Sequence, residues 1–223
     1  SELRRGVKNF GNAYHVANSN WHSIHYPVTA QMIRTGQNIP EDTRDDDVYY
    51  KKTKGVSYTY SLRDFHNLYV KSKLINGVSD KKDTLIDFAC GKGGDLPKWI
   101  KAKLSFVFGI DLSPDNIENR LDGACARYLN YKKTTKNIPN ALFVIGNSEY
   151  NIRSGQAIET DKGKQITASV FGNNARDEKL GKGVVKSYAI GEEGFNISSC
   201  QFALHYFFKD KHVLHRFLAN IAE

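Results

Sequence analysis

Cysteine is scarce in this chain: Cys90, Cys125 and Cys200 are an odd trio without metal-ligand spacing. That excludes a disulfide scaffold and gives no metal site; it fits free thiols in a reducing compartment. Methionine is scarcer still. Met32 stands alone, and the chain opens on Ser1-Glu2-Leu3-Arg4-Arg5 rather than on an initiator, so it is expected to be part of something longer. That polar, basic opening is also unlike a signal peptide. No run approaches the ~20 apolar residues of a membrane span, so no membrane partner is expected. A glycine-rich turn near residue 90 is not followed by Gly-Lys-Ser/Thr, which excludes a P-loop.

What is present points to a globular α/β chain. Its 223 residues suffice for one sizeable core, and 40% are hydrophobic and 12% aromatic. The formal net charge of +8 favours an anionic partner such as RNA. The chain is organised around 83–111. Leu85-Ile86-Asp87-Phe88-Ala89 reads as a buried strand, and Cys90-Gly91-Lys92-Gly93-Gly94-Asp95 as a turn. A helix follows with Leu96, Trp99 and Ile100 on one side, then a second strand, Phe106–Ile110, ending at Asp111. This is a βαβ unit of the nucleotide-binding kind. Ala89 stands where a Gly-x-Gly-x-x-Gly motif would begin, so a merely structural turn remains an alternative. Asp111 lies 20 residues beyond Gly91, where a ribose diol can meet a carboxylate.

Residues 1–55 read as an N-terminal extension or linker. Within them the His22/His25 pair suggests packing or a surface role, 28–33 a short helix, 36–47 an acidic loop, and Lys51-Lys52-Thr53-Lys54 a basic tract. Residues 56–223 form the main domain. Ser61–Ile75 is predicted helical, capped by Ser61 with Asp64 as capping-box acid, and its face Leu62, Phe65, Tyr69 packs beside the sheet. Asn67 and Lys71, four apart, share another face. Ser113-Pro114-Asp115 starts a helix running to about Tyr131, with Ile117, Leu121, Ala124 and Tyr128 buried. Lys132–Asn137 reads as a basic loop, and Ala141–Ile145 as a third strand ending at Gly146-Asn147-Ser148. Residues 151–193 read as an insertion, with a hairpin around Ile166–Phe171 and a helix around Lys179–Tyr188. Phe195–Cys200 is a fourth strand, and Lys211–Ala222 a helix. An open sheet of four strands would have an unfinished edge, which suggests truncation before the last strands.

In an open α/β sheet, ligands lie beyond the carboxyl ends of the strands. Four such ends carry polar residues here: Ala89–Asp95, Asp111, Asn147-Ser148 and Gln201–Tyr206. The chain resembles the mRNA cap guanine-N7 methyltransferases, and more narrowly the methyltransferase domain of capping enzymes from large DNA viruses. The resemblance rests on Leu62-Arg63-Asp64-Phe65-His66-Asn67 with Lys71-Ser72, on Ala89-Cys90-Gly91-Lys92-Gly93-Gly94-Asp95-Leu96, on Asp111, on Phe195-Asn196-Ile197, and on Gln201-Phe202-Ala203-Leu204-His205-Tyr206. It covers roughly residues 56–223 and has one residue more than the family pattern between Phe65 and Lys71.

The resemblance implies a Rossmann-like fold with S-adenosylmethionine as cofactor and a capped RNA 5′ end as substrate. It implies that Lys71, Ala89, Gly91 and Asp95 hold the methionine end and Asp111 the ribose. Asn147, where the family usually has Asp, and Ser148 would meet the adenine. Gln201 and Tyr206 would close over the cofactor. Asn67, His205 and Tyr206 would border the guanine, and Lys92 would meet cap phosphates. Other domains of a larger capping enzyme are the implied protein partners. The implied location is a cytoplasmic viral factory or virion if the chain is viral, and otherwise the nucleus. Guanine N7 has no proton to lose, so no general base and no catalytic residue is assigned; positioning is worth about 7–11 kcal/mol in favourable cases. An NAD-binding domain would share the βαβ unit and its acid but leaves Gln201–Tyr206 and Asn67/Lys71 unexplained. A non-catalytic cap- or RNA-binding scaffold is the other alternative.

Overall fold

The computed structural model describes residues 59–223, together with 21, 24, 27 and 29–35. The chain divides into two units, Ser1–Tyr49 and Tyr50–Glu223. In the first, helix α1 is Ala30–Thr35, close to the expected short helix. The histidine pair, the acidic stretch 36–47 and the basic tract 51–54 lie outside the described residues.

The second unit is built on a parallel sheet of four strands in the order β3-β2-β1-β4. They are β1 (Thr84–Asp87), β2 (Phe106–Asp111), β3 (Asn140–Ile145) and β4 (Ile197–Ser199). Strand alternation divides the core. Leu85, Val107 and Ile197 point to one side, where Ile75, Leu96, Trp99 and Tyr128 cover them. Ile86, Phe106, Phe108 and Ile110 point to the other, against Val170, Val213 and Phe217. Burial on both faces explains why β1 and β2 read as continuous apolar runs.

The first long helix departs from expectation at several points. It starts as α2 (Tyr60–Asp64), continues as a π turn over Phe65–Val70, and ends as α3 (Lys71–Val78). Thr59, not Ser61, is its N-cap, and no side chain caps it. The N–H of Lys71 bonds the carbonyl of His66, five residues back. A π turn holds one residue more than an α turn, so it can take up one extra residue locally. Leu62, Phe65 and Tyr69 face outward, contrary to the predicted packing. The inward side carries Asn67, Lys71 and the buried Ile75.

Helix α4 is Leu96–Ala102, with Leu96 and Trp99 buried as predicted. The helix expected to reach Tyr131 is two: α5 (Pro114–Glu118) and α6 (Ala124–Thr134). Ser113 caps α5 by accepting the Asn116 N–H. The Asn119 amide oxygen then accepts the N–H groups of Leu121 (2.9 Å) and Asp122 (3.3 Å), competing with the helical ladder. A Cβ on Gly123 would sit 2.7 Å from Asn119 backbone, so only glycine closes this turn. Leu121 is thereby 87% exposed rather than buried. Helix α6 also absorbs Lys132 to Thr134, predicted as loop.

In 151–193 the predicted hairpin is instead helix α7 (Asp161–Val170). Thr160 caps it by accepting the Gly163 N–H at 3.1 Å. Thr167 and Val170 point into the core at helical spacing. The expected helix at 179–188 is a 3-10 turn, Glu178–Leu180, followed by α8 (Lys182–Lys186). After β4 come a 3-10 turn, Leu204–Phe208, and α9 (Lys211–Ala222), which has the predicted limits.

Candidate active site at the strand tips

The glycine turn bends tightly between β1 and α4. Gly91 and Gly93 have φ of 53° and 67°, a left-handed region that favours glycine. Asp111, at the tip of β2, fixes the turn. Its Oδ2 accepts the Gly91 N–H at 2.7 Å, and its Oδ1 accepts Ser113 N–H at 3.0 Å and Asn116 Nδ2 at 2.9 Å. A carboxylate offers roughly four lone-pair directions, so these three bonds leave about one.

Asp95 caps α4 without a side-chain bond to the helix. Its carboxylate turns sideways instead. Lys71 Nζ donates to Oδ2 at 3.2 Å, and Lys98 Nζ lies 2.8 Å from Oδ1, off the hydrogen-bonding direction. Lys98 also donates to Asn67 Oδ1 at 2.8 Å. Asn67, Lys71, Asp95 and Lys98 therefore form one cluster between the first helix and the glycine turn. Lys98 is only 6% exposed. The sequence reading passed over it, although its i+3 spacing from Asp95 was a signal.

Asp87, at the end of β1, was missed as well. It is fully buried, and its Oδ1 accepts the Ala89 N–H at 3.2 Å. Burial, and secondarily the charge of Asp95, push its carboxyl up to about 7. Burial also raises the neighbouring Cys90 thiol well above its ordinary value.

Other predicted residues are already engaged. Ser148 is buried and donates its hydroxyl to the Phe88 carbonyl at 2.7 Å. Asn147 Oδ1 accepts the Glu149 N–H at 3.0 Å. The loop they share is pinned by Asn220 of α9, which donates to the Ser148 carbonyl at 2.8 Å. Lys92 leaves the Asn67 cluster altogether. It bridges Asp115 (2.8 Å) and Asp122 (2.9 Å), tying the glycine turn to the α5–α6 break. Burial pulls its ammonium down, but its hydrogen bonds to those two carboxylates hold it above its ordinary value.

On the β4 side, Gln201 is half-buried, while His205 and Tyr206 are exposed with ring centroids 4.0 Å apart. Their neighbour Phe202 links this segment to the first helix. Lys71 Nζ lies 5.2 Å from its ring centroid, and the His66 ring meets it edge-on at 5.2 Å. Nothing in the sequence signals that Phe202 adopts φ 60°.

Residues 41–223 match the mRNA (guanine-N(7))-methyltransferase domain. The chain belongs to this family. It is 28% identical over 229 residues to the probable mRNA-capping enzyme of Acanthamoeba polyphaga mimivirus, covering 96% of this chain and 18% of that protein. It is 27% identical over 192 residues to mRNA cap guanine-N(7) methyltransferase 1 of Arabidopsis thaliana, covering 85% of this chain and 39% of the relative. With the mRNA cap guanine-N(7) methyltransferase of Saccharomyces cerevisiae the identity is 28% over 194 residues, covering 86% and 36%. The chain thus spans well under half the length of these relatives. Within this methyltransferase family, the parallel sheet accords with the Rossmann-like fold expected from the sequence.

Proposed function

We propose that the Tyr50–Glu223 unit binds S-adenosylmethionine and methylates N7 of the guanine that caps an RNA 5′ end. One observation beyond family membership carries this reading. Three carboxylates, Asp87, Asp95 and Asp111, interact around the glycine turn, and one of them caps helix α4. A dinucleotide site uses that helix end for a pyrophosphate; here Asp95, paired with Lys71 and Lys98, occupies it. A ligand with an ammonium and ribose hydroxyls suits Asp95 and Asp111. The residues present therefore fit S-adenosylmethionine.

When bound, the cofactor supplies a methyl group on a positively charged sulfur, and guanine N7 accepts it through a lone pair. The chain's own residues bind and orient. Lys71, Ala89, Gly91 and Asp95 form the methionine end, and Lys98 fixes Asp95. Asp111 keeps one acceptor direction for a ribose hydroxyl while holding Gly91. Asn147 and Ser148 shape the adenine side, and Gln201 and Tyr206 cover the cofactor. Asn67, His205 and Tyr206 border the guanine. Lys92 reaches cap phosphates by exchanging a carboxylate partner for a phosphate. No residue is required to remove a proton. The chain's 18% share of the mimivirus capping enzyme supports action beside other domains.

The test is calorimetry with S-adenosylhomocysteine and NAD, followed by methyl incorporation into RNA ending in GpppN or ApppN. Tight binding of the first ligand alone, with transfer only to the guanine cap, is expected. Preference for NAD would overturn the reading, and binding of cap and cofactor without transfer would leave a scaffold.

A further inference from the structure

The outer side of the first helix carries a row of rings that leads away from the candidate site. From Lys71 the path runs to Phe202 at 5.2 Å, then to His66 at 5.2 Å, to Phe65 at 5.6 Å, and to Tyr69 at 5.5 Å. Phe65 and Tyr69 stack with an interplanar angle of 22°, and Lys73 Nζ sits 4.9 Å from the Tyr69 centroid. One turn back, Arg63 lies 5.0 Å from the Tyr60 centroid. Phe65 and Tyr69 are each 52% exposed and Phe202 is 56% exposed. Phe202 keeps its ring outward despite a left-handed backbone that disfavours bulky residues. The Nδ1 of His66 is shut off from solvent without a hydrogen-bond partner among the described residues.

The charges are one-sided. Between Thr59 and Ser79 the sole acid is Asp64, which is half-buried, and Gln201–Lys209 contains none. Within these two segments a phosphodiester backbone would meet Arg63 and Lys73 and no exposed carboxylate. Exposed rings interleaved with cations are the ordinary means of holding single-stranded nucleic acid, since each base can stack whatever its sequence.

We propose that the ring row Phe202–His66–Phe65–Tyr69, flanked by Arg63 and Lys73, holds the single-stranded RNA that follows the cap. The proposal rests on the cap-methylation reading and extends it: the substrate is an RNA several nucleotides long. Two or three bases lie on the row while the capped end occupies the strand tips.

The test compares a capped RNA of about ten nucleotides with the dinucleotide GpppA, by fluorescence anisotropy at fixed salt. The wild-type chain should bind the longer RNA at least tenfold more tightly. Phe65→Ala with Tyr69→Ala should lose about tenfold or more of that advantage, the scale of a lost stacked base. Affinity for GpppA and S-adenosylhomocysteine should stay unchanged. Phe65→Leu with Tyr69→Leu keeps apolar bulk without a ring face and should lose as much. An unchanged length advantage in both double variants would overturn the proposal, and so would equal wild-type affinity for the two RNAs. If GpppA fails to bind while the RNA binds in a ring-dependent way, the cap-methylation reading fails and the RNA row stands.

Discussion

Asp87 is the residue whose chemistry is most altered by its place in the fold. Its carboxyl moves from 3.8 to about 7, chiefly because ionising it at the buried end of β1 costs solvation. The folded state therefore holds a proton between these values that the unfolded chain releases. The stability associated with Asp87 is greatest below about pH 4 and falls as pH rises towards 7, by on the order of 4 kcal/mol. Asparagine can still accept the Ala89 N–H but cannot ionise. Denaturant titrations of wild type and Asp87→Asn from pH 4.5 to 8 should show the variant gaining relative stability with pH; a constant difference would contradict the shift. Lys98 is the converse case, a cation whose removal strands a partner. Lys98→Met leaves Asp95 with Lys71 alone and Asn67 without its donor. A loss of about 3 kcal/mol is expected, the low end for one-sided removal from a buried pair, because Lys71 remains. Asp111→Ala should act twice. It orphans the Gly91 N–H inside the turn, so the melting temperature should drop without ligand, and S-adenosylhomocysteine affinity should fall too. Lost affinity at unchanged melting temperature would mean that the Gly91 bond contributes nothing.

Elements were legible where one physical signal dominated. β1, β2 and β3 are apolar runs bounded by glycine or polar residues, and α9 has a clean amphipathic pattern behind Asp210, whose carboxylate accepts the His212 and Val213 N–H groups. The misreadings came where local chemistry competes with the pattern. Leu121 fits a helical stripe, but the Asn119 side chain takes the N–H groups the helix would need. Ile166–Phe171 looks strand-like by β-branching, yet Thr160 and Asp161 begin a helix just before it. The outward turn of Phe65 and Tyr69 was hidden because a π turn has no fixed sequence signature. That turn yields a prediction. Removing Leu68, which is exposed within the π segment, should convert it to α geometry and leave both flanks in phase, with little change in melting temperature. Removing Lys73 from regular α3 should instead rotate Ile75 against Lys71 by about 100°. The loss of a buried isoleucine would then cost about 2–5 kcal/mol. Equal effects of the two deletions would argue against local absorption of the extra residue.

At the scale of the whole molecule, charge separates the two ligands that the candidate site is proposed to hold. The chain carries a formal +8, yet near the glycine turn the cations are spent internally: Lys71 and Lys98 on Asp95, Lys92 on Asp115 and Asp122. Cofactor affinity should therefore depend on short-range contacts and change little with salt. RNA is different, because Arg63 and Lys73 lie over exposed rings and each phosphate they neutralise releases a counterion. For single strands the slope of log affinity against log salt is about −0.7 per neutralised phosphate. Lys73→Gln should lower affinity across RNA sequences and flatten that slope by about 0.7, while S-adenosylhomocysteine binding keeps its wild-type salt response. Titrations at three salt concentrations measure both. An unchanged RNA slope would remove Lys73 from the phosphate path, and a steep slope for the cofactor would mean that the lysines at the glycine turn are not neutralised by their carboxylate partners.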